Sequence, residues 1–213
     1  MDPLSDVEVR VLGALIEKDI TTPDYYPLSL NALVNACNQK NNRDPVMALN
    51  EDAVRAALES LQGQRLAGPA SGADSRVTKY EHRMQEVFNF DRRETALLCV
   101  LMLRGAQTPG ELRGRAERMY RFEELEDVNA ALDKLSQRDP ALVAVLPRQP
   151  GTKESRWMHL LSGNAPPAEA APVRESFSGD NDRVARLEHE VGELKREIAE
   201  MREQLAAFRR QFE

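Results

Sequence analysis

The stretch from Thr21 to Leu61 constrains the fold more than any other part of the sequence. It contains two apolar stripes with helical spacing, over Leu28–Cys37 and over residues 51–61, and a polar turn between them. The turn, Asn38–Pro45, carries three asparagines, one aspartate and one proline, which are residues that favour turns over helices. Two helices joined in this way are typical of a helix-turn-helix module.

Further signals complete a larger unit around this module. Ser5 and Glu8 form a capping box, which predicts a first helix that ends near Lys18. Beyond the module, short extended segments at 66–69 and 76–84 flank a turn and predict a small hairpin. Three helices followed by a hairpin predict a winged-helix domain whose wing is the hairpin tip.

The second half of the chain repeats this plan. Helix-start signals recur at Asp91 and Thr108, a third apolar stripe runs over Leu125–Leu135, and strands are predicted at 141–146 and 156–161. A repeat of about 75–85 residues has the size of a domain rather than of a solenoid unit. The matching segments are Thr22-Pro23 and Thr108-Pro109; Val54, Leu58, Leu61 and Val128, Leu132, Leu135; and Tyr80-Glu81-His82 and Trp157-Met158-His159.

Four consecutive regions follow from these patterns. Residues 1–87 and 88–162 are predicted to form two tandem winged-helix domains, in a mainly α fold with small β-hairpins (α+β). Residues 163–181 are rich in proline and alanine and lack an apolar period, which predicts a flexible linker. Residues 182–213 carry four heptads of apolar residues, which predict a C-terminal coiled-coil helix.

Self-association is the expectation for this last helix, because an isolated helix of its length is marginal in water. β-Branched side chains at the a positions, leucine at the first d positions and flanking charges of opposite sign favour a parallel homodimer. Packing against the chain's own domains, or against a different protein, is the alternative. The predicted dimer contacts are Val184, Leu187, Val191, Leu194, Ile198, Met201, Leu205 and Phe208.

The net charge and the hydropathy of the sequence bear on two questions, whether the protein binds nucleic acid and whether it spans a membrane. The net charge is −6, and only the segment 88–162, at +1, is not acidic. A free-standing DNA-binding domain is usually basic, so this charge counts against nucleic-acid binding. The sequence shows no leader pattern and no apolar run long enough to span a bilayer, which predicts a cytoplasmic protein without a membrane segment.

The sequence gives no sign of catalytic chemistry. A nucleophile–base pair, a metal-ligand cluster and a phosphate-binding glycine loop are all missing from it, so we expect no enzyme activity and no cofactor. His82 and His159 recur in equivalent strands and are interpreted as packing or surface residues rather than catalytic ones. Cys37 and Cys99 lie in apolar stripes and are interpreted as reduced core residues rather than a disulfide.

The predicted winged-helix domains, with their polar turn and basic side chains, favour duplex DNA as the partner. The protein would then be a transcriptional regulator or an architectural factor. Amides can bond base edges, and lysine and arginine neutralise phosphates. The alternative is that the asparagines only shape the turn and that the arginines form a solvated face or ion pairs. The predicted contacts are Asn38, Gln39, Lys40, Asn41, Asn42, Arg43, Arg55, Arg76, Lys79, Arg113, Arg115, Arg118 and Arg121.

A protein partner is the alternative to DNA. The third helix of each predicted domain is acidic and would repel a phosphate backbone. Acidic tandem winged-helix partners of chromosome-organising complexes share this architecture, which would make the chain a protein-interaction scaffold. The side chains concerned are Glu51, Asp52, Glu59, Glu123, Glu124, Glu126 and Asp127, with Arg55 and Gln62 also facing outward on the first of these helices.

Three segments together resemble a known family. They are Arg10–Pro23 (RVLGALIEKDITTP), Tyr26–Asn50 (YPLSLNALVNACNQKNNRDPVMALN) and the following helix Val54–Leu61. This block is similar to that of the bacterial YceH-like family, whose members carry two winged-helix domains. The resemblance covers about residues 4–162 and implies the fold, whereas it implies no established biochemical activity.

Overall fold

The computed structural model describes residues 2–70, 77–148 and 154–163, all of which lie in one compact unit spanning Met1–Pro167. Arg76, the predicted linker and the predicted coiled coil with its dimer contacts lie outside the described residues. The same holds for the tips of both predicted hairpins, at 71–76 and 149–153. The described residues comprise the two repeated halves.

The first half contains three helices and a three-stranded antiparallel sheet. The sheet order is β1-β3-β2, so the strand that precedes the second helix pairs with the last strand of the half. The elements are α1 (Asp6–Thr21), a 3-10 helix (Pro23–Tyr25), β1 (Leu28–Ser29), α2 (Leu30–Cys37), α3 (Glu51–Gly63), β2 (Ala67–Pro69) and β3 (Lys79–His82).

A short helix, α4 (Met84–Phe88), leads from the first half to the second. The sequence pattern does not predict α4. It predicts a strand that continues to residue 84, whereas β3 ends at His82. The second half again contains three helices and a hairpin. Its elements are α5 (Arg92–Arg104), α6 (Pro109–Ala116), α7 (Leu125–Ser136), β4 (Val143–Val145) and β5 (Trp157–His159).

Local sequence signals fix where most of the helices begin. In each predicted capping box, the cap side chain accepts from the N3 backbone N–H and the N3 glutamate accepts from the cap backbone N–H. Ser29 and Asn50 cap α2 and α3 in the simpler way, through one side-chain acceptor. The capping boxes are Ser5 with Glu8, Asp91 with Glu94, and Thr108 with Glu111.

The strand register repeats between the halves. Leu28 pairs with Tyr80, and the isolated bridge between Gln107 and Trp157 takes the same place in the second half. The histidines also correspond, since Ala67 pairs with His82 and Val143 pairs with His159. The proposed correspondence of the strands is therefore confirmed at the level of hydrogen-bond partners.

One predicted correspondence is wrong. Thr108 is the N-cap of α6, but its counterpart at the start of α2 is Ser29, not Thr22. Thr22-Pro23 instead opens the 3-10 helix, because the first half has extra residues between α1 and β1. The two Thr-Pro pairs therefore have the same sequence but start different elements, the 3-10 helix after α1 and the helix α6.

The core runs through both halves without interruption. Buried side chains of α1, α2 and α3 belong to the same hydrophobic cluster as those of α5, α6 and α7. The stripe residues Val54 and Leu61 of α3 and their counterparts Val128 and Leu135 of α7 are all fully buried. The predicted boundary between residues 87 and 88 therefore separates two repeated units that share one core.

Gly13 allows α1 and α5 to approach closely. A Cβ atom at this position would lie 3.0 Å from Leu103 Cδ2, which is tighter than ordinary van der Waals contact. Cys99 donates its thiol hydrogen to the Gly13 carbonyl at 3.4 Å, and Cys99 and Cys37 are both buried and free, as the sequence predicts. Burial raises the pKa of the Cys37 thiol to about 12, so it stays protonated.

The coarse fold class is confirmed: the described chain is mainly helical with small antiparallel sheets. None of its helices combines the length and the apolar character needed to cross a bilayer. Within the same residues, no three histidine, cysteine or acidic side chains are grouped so that they could hold a metal ion.

Candidate nucleic-acid interface

The polar turn between α2 and α3 is closed by a side chain from within it. Asn38 Oδ1 accepts the Leu49 backbone N–H at 2.7 Å, and Asn38 Nδ2 donates to the Leu49 carbonyl at 2.8 Å. Both polar atoms of the amide are therefore occupied, which corrects the expectation that Asn38 contacts nucleic acid. Its role is turn formation, the alternative that the sequence left open.

Arg43 is the largest correction to the predicted contact set. Its side chain is 0% exposed, and its guanidinium meets the Glu17 carboxylate through two hydrogen bonds of 3.2 and 2.6 Å. It also donates to the Ala36 carbonyl at 2.9 and 3.2 Å. A guanidinium held in this way cannot reach a phosphate, so the prediction that Arg43 binds nucleic acid is wrong.

A second buried arginine supports the same turn. Arg10 of α1 donates to the Cys37 carbonyl at 3.2 Å and to the Pro45 carbonyl at 2.6 Å. Burial lowers the pKa of Arg10, and the nearby Arg43 charge lowers it further. The guanidiniums of Arg10 and Arg43 therefore hold both ends of the turn against α1, and the turn is a fixed structure rather than a loose loop.

The remaining turn residues divide into two groups. Gln39 points inward, since its side-chain oxygen accepts from Lys18 Nζ at 3.3 Å and from Arg43 Nη2 at 3.2 Å. Asn42 has a positive φ of 60° and accepts a hydrogen bond from the Arg104 guanidinium. Lys40 and Asn41 are exposed. Among the predicted contact residues of the turn, Lys40 and Asn41 are thus the exposed ones.

The outward face of α3 is acidic, as its spacing predicts. Glu51, Asp52 and Glu59 are exposed on it, and Arg55 is the basic side chain among them. Lys79, at the start of β3, is also exposed. Such a face repels phosphate overall, so α3 is a poor candidate for the main DNA contact.

The arginine cluster of the second half lies on α6 and on the turn that follows it. Thr108 and Pro109 start α6, and the dipole of this helix favours the basic side chains Arg113 and Arg115 in its last turn. The chain then turns back, with the Met119 and Tyr120 N–H groups donating to the Ala116 carbonyl at 2.7 and 2.8 Å. This turn places Arg118 and Arg121 beside α6.

Three of these arginines have no ion-pair or hydrogen-bond partner among the described residues: Arg113, Arg118 and Arg121, which we call the basic face. All three are exposed. Arg115 differs, since it forms an i,i+4 pair with Glu111 at 3.4 Å. Elsewhere in the described chain, arginines without such partners stand singly, at Arg55, Arg65 and Arg92. The basic face is therefore the densest group of unpaired arginines there.

An open cavity of about 480 Å³ adjoins the basic face. Arg113 and Arg121 line it together with the glycines of α6, and Phe122 and Leu125 supply an apolar surface. Glu117 is the carboxylate on its rim. Two free guanidiniums beside glycines leave room for a backbone phosphate to approach the helix closely.

The acidic start of α7 is partly neutralised. Asp127 pairs with Arg93 at 3.1 Å, and Arg93 also donates to the Tyr120 hydroxyl at 3.1 Å. Glu123, Glu124 and Glu126 are exposed and have no ion-pair partner among the described residues. The face of α7 therefore remains acidic, like that of α3, and the basic surface of this half comes from α6 and its turn.

A second cleft contains a histidine–carboxylate pair. His82 Nε2 lies 3.3 Å from Asp19 Oδ2, and His82 Nδ1 accepts the Met84 N–H at 3.4 Å. The cleft has a volume of about 320 Å³ and is also lined by Arg92 and Thr95. The Thr95 hydroxyl donates to the Asp91 carbonyl at 2.8 Å. His82 thus joins β3 to α1 and α4, which agrees with a packing role.

Comparison with known proteins identifies the family. The family model described as "Protein of unknown function, DUF480" matches residues 4–152. The chain belongs to this family. The match runs from the start of the first half to past the end of β4 in the second, and includes the polar turn, α3 and the basic face. It also confirms the family resemblance found in the sequence.

Several relatives of this DUF480 protein are similar over nearly their whole length. A UPF0502 protein of Koribacter versatilis is 60% identical over 192 residues, which is 89% of each chain. UPF0502 proteins of Citrifermentans bemidjiense and Geobacter sulfurreducens are 53% and 52% identical, each over 88% of both chains. Their names state a family and no activity.

The sequence reasoning missed two arginines that the fold brings to the site. Arg104, at the end of α5, reaches the turn residue Asn42, and Arg92 lines the cleft beside His82. The basic residue in the last turn of α5 was a local signal for Arg104. Its contact with Asn42 could not be found in this way, because it joins the two halves.

Proposed function

We propose that this DUF480 protein binds duplex DNA through the basic face of its second half and that its role is structural or regulatory rather than catalytic. The observation that carries the proposal is the set of three exposed arginines without carboxylate partners among the described residues. Unneutralised guanidiniums are the groups that release counterions from a phosphate backbone. A chromosomal partner would place the protein in the cytoplasm.

The architecture supports this reading. Each half has three helices and a hairpin, and a residue before the second helix pairs with the last strand. We therefore interpret the halves as tandem winged-helix domains. In this proposal the third helices, α3 and α7, are not the main contact, because both present carboxylates to solvent. The main DNA contacts are instead made by α6 and the turn that follows it. Lys40 and Lys79 are candidate contacts in the first half.

A charge-reversal experiment tests the proposal. Arg113→Glu with Arg121→Glu should weaken binding to a short random-sequence duplex by about 10- to 100-fold at low salt, because phosphate contacts dominate the affinity. Fluorescence anisotropy of a labelled duplex measures the change. Arg55→Glu with Arg65→Glu is the matched control, since it changes the net charge equally at exposed arginines outside the basic face. An equal loss in both double variants would contradict the proposal.

A dimer would double the number of basic faces. We propose that residues 182–213 form a parallel two-stranded coiled coil, on the strength of their four heptads. Sedimentation equilibrium should then give a dimer for the whole chain and a monomer for a chain that ends at residue 181. A dimer that survives this truncation at micromolar concentration would show that another surface associates.

The second candidate function is protein binding through α3. Its exposed carboxylates follow shortly after Val46 in the sequence, and Val46 is 56% exposed. An acidic helix next to an exposed apolar residue suits a basic protein partner. In this case the intact protein would not bind duplex DNA at low salt, and the charge reversal on the basic face would have no effect.

A further inference from the structure

A small cavity between the two halves collects three arginines. It is lined by Arg104 at the end of α5, Arg115 of α6 and Arg118 of the following turn. The first half contributes Glu17 and Thr21 of α1 and Asn42 of the polar turn. The remaining lining residues are Val100, Leu103 and Met119. Positive charge therefore converges here from three separate segments.

The charge of this cavity is not balanced by its own residues. Glu17 is the one carboxylate among the lining side chains, and both of its oxygens are bound by Arg43. Glu111 lies 3.4 Å from Arg115, but it also lies 3.4 Å from Arg156, so it is shared. Arg118 has no ion-pair partner among the described residues. The cavity is thus electropositive.

The electrostatic state of Arg104 agrees with this description. Burial lowers the pKa of Arg104, and the charge of Arg115 lowers it further, against the opposing influence of Glu17 and Asp44. Like charges have therefore been placed close together in a partly buried site. A bound anion would relieve that repulsion.

The size of the cavity limits its ligand. Its volume is about 30 Å³, and one water molecule needs roughly 10–15 Å³ on the same measure. This is the space of about two or three water molecules, so the cavity excludes a nucleoside, whereas an oxyanion can place some of its oxygens there. Guanidiniums recognise the planar and tetrahedral oxygens of such groups through paired hydrogen bonds, and phosphate is the one they match best at high charge.

We propose that the cavity lined by Arg104, Arg115 and Arg118 is a binding site for a single phosphate group, and that this group joins α1 and the polar turn of the first half to α5 and α6 of the second. The proposal goes beyond DNA binding and does not depend on it. Asn42, which already accepts from Arg104, makes the polar turn part of the site. Occupancy would therefore stabilise the contact between the halves.

Inorganic phosphate and the full-length protein test the site directly. Calorimetric titration at constant ionic strength, with chloride as the reference salt, should show saturable binding of phosphate. A thermal scan should show that phosphate raises the midpoint temperature of unfolding. Arg115→Gln and Arg118→Gln should each weaken phosphate binding about tenfold or more. Arg65→Gln is the matched control, since Arg65 is exposed and lies outside both the cavity and the basic face. It should bind phosphate as the original protein does.

A second arm distinguishes the sources of the phosphate group. The protein is first bound to a DNA duplex with 5′-hydroxyl ends, which carries no terminal phosphate group. Saturating inorganic phosphate is then added at constant ionic strength. Displacement of the duplex assigns the cavity to a backbone phosphate, and its retention assigns the cavity to free phosphate or a small phosphate ester; both support the site.

Two results would overturn the proposal: absence of saturable phosphate binding, or an equal loss in the Arg65→Gln control. The first arm contains no DNA, so a failure of DNA binding would not be mistaken for a failure of this site. Thermal midpoints in chloride show that each variant is folded.

Discussion

Replacing Arg43 by methionine should lower the free energy of unfolding by about 3–5 kcal/mol, the usual cost of leaving one charge of a buried pair without its partner. The variant would leave Glu17, whose side chain is 7% exposed, with the Lys18 ammonium at 3.5 Å as its remaining ion-pair partner, and would remove both hydrogen bonds to the Ala36 carbonyl. Urea unfolding followed by circular dichroism measures the loss. Lys40→Met, in the same turn but exposed, is the control and should change stability little.

A double variant separates the ion pair from the packing. Glu17→Met with Arg43→Met removes both charges, so its cost should be clearly smaller than the sum of the two single costs. Additive losses, or a loss below about 1 kcal/mol for Arg43→Met alone, would show that the pair does not hold the turn.

The pH dependence of Glu17 follows from the same contacts. Burial alone would raise the pKa of Glu17, but the Arg43 guanidinium and the Lys18 ammonium outweigh it and hold the pKa below its ordinary value of 4.5. The folded-state pKa is depressed, so the stability from this pair is present above pH 4.5 and is lost as the pH falls through the folded pKa.

The second large effect concerns His159 and acid. Burial lowers the pKa of His159 from 6.5 to about 4, and the Asp6 charge only partly opposes this. Between these two pH values the unfolded chain binds a proton that the folded chain does not, so stability should fall as the pH falls through this window. The loss should reach about 3 kcal/mol and should end below the folded pKa.

A variant isolates this contribution. His159→Phe keeps a ring in β5 and cannot titrate, so its stability should depend less on pH through the window from 6.5 to about 4 than that of the original protein. Urea midpoints measured through the window give the comparison. Parallel curves for the two proteins would contradict the account of a half-buried, neutral His159. The Nδ1 atom of His159 has no hydrogen-bond partner among the described residues, which agrees with that account.

Local rules predicted the parts of the fold that local chemistry decides. Ser5, Asp91 and Thr108 cap helices as their i,i+3 glutamates indicated, because a capping box needs only four consecutive residues. The apolar stripes of α3 and α7 are buried as predicted, since the helical period alone selects one face. The strand correspondence between the halves was also predictable, because it rests on two matching short segments, Tyr80–His82 and Trp157–His159.

Contacts between distant residues could not be predicted in this way. Arg43 looked like a phosphate ligand because a basic side chain stood in a polar turn, but its partner Glu17 is 26 positions away in α1. Arg104 and Asn42 are 62 positions apart and meet only when the halves pack. Burial of a charge depends on the fold as a whole, so the exposed candidates Lys40, Asn41 and the basic face could be selected only from the structure.

The salt dependence of binding to random duplex DNA tests the central claim most directly. If the three arginines of the basic face contact phosphates, the logarithm of the association constant should fall with the logarithm of the salt concentration with a slope of about −3 for each protomer. Reversing Arg113 and Arg121 should make this slope shallower. The account would be contradicted if the intact protein fails to bind at low salt, or if its affinity does not change with salt.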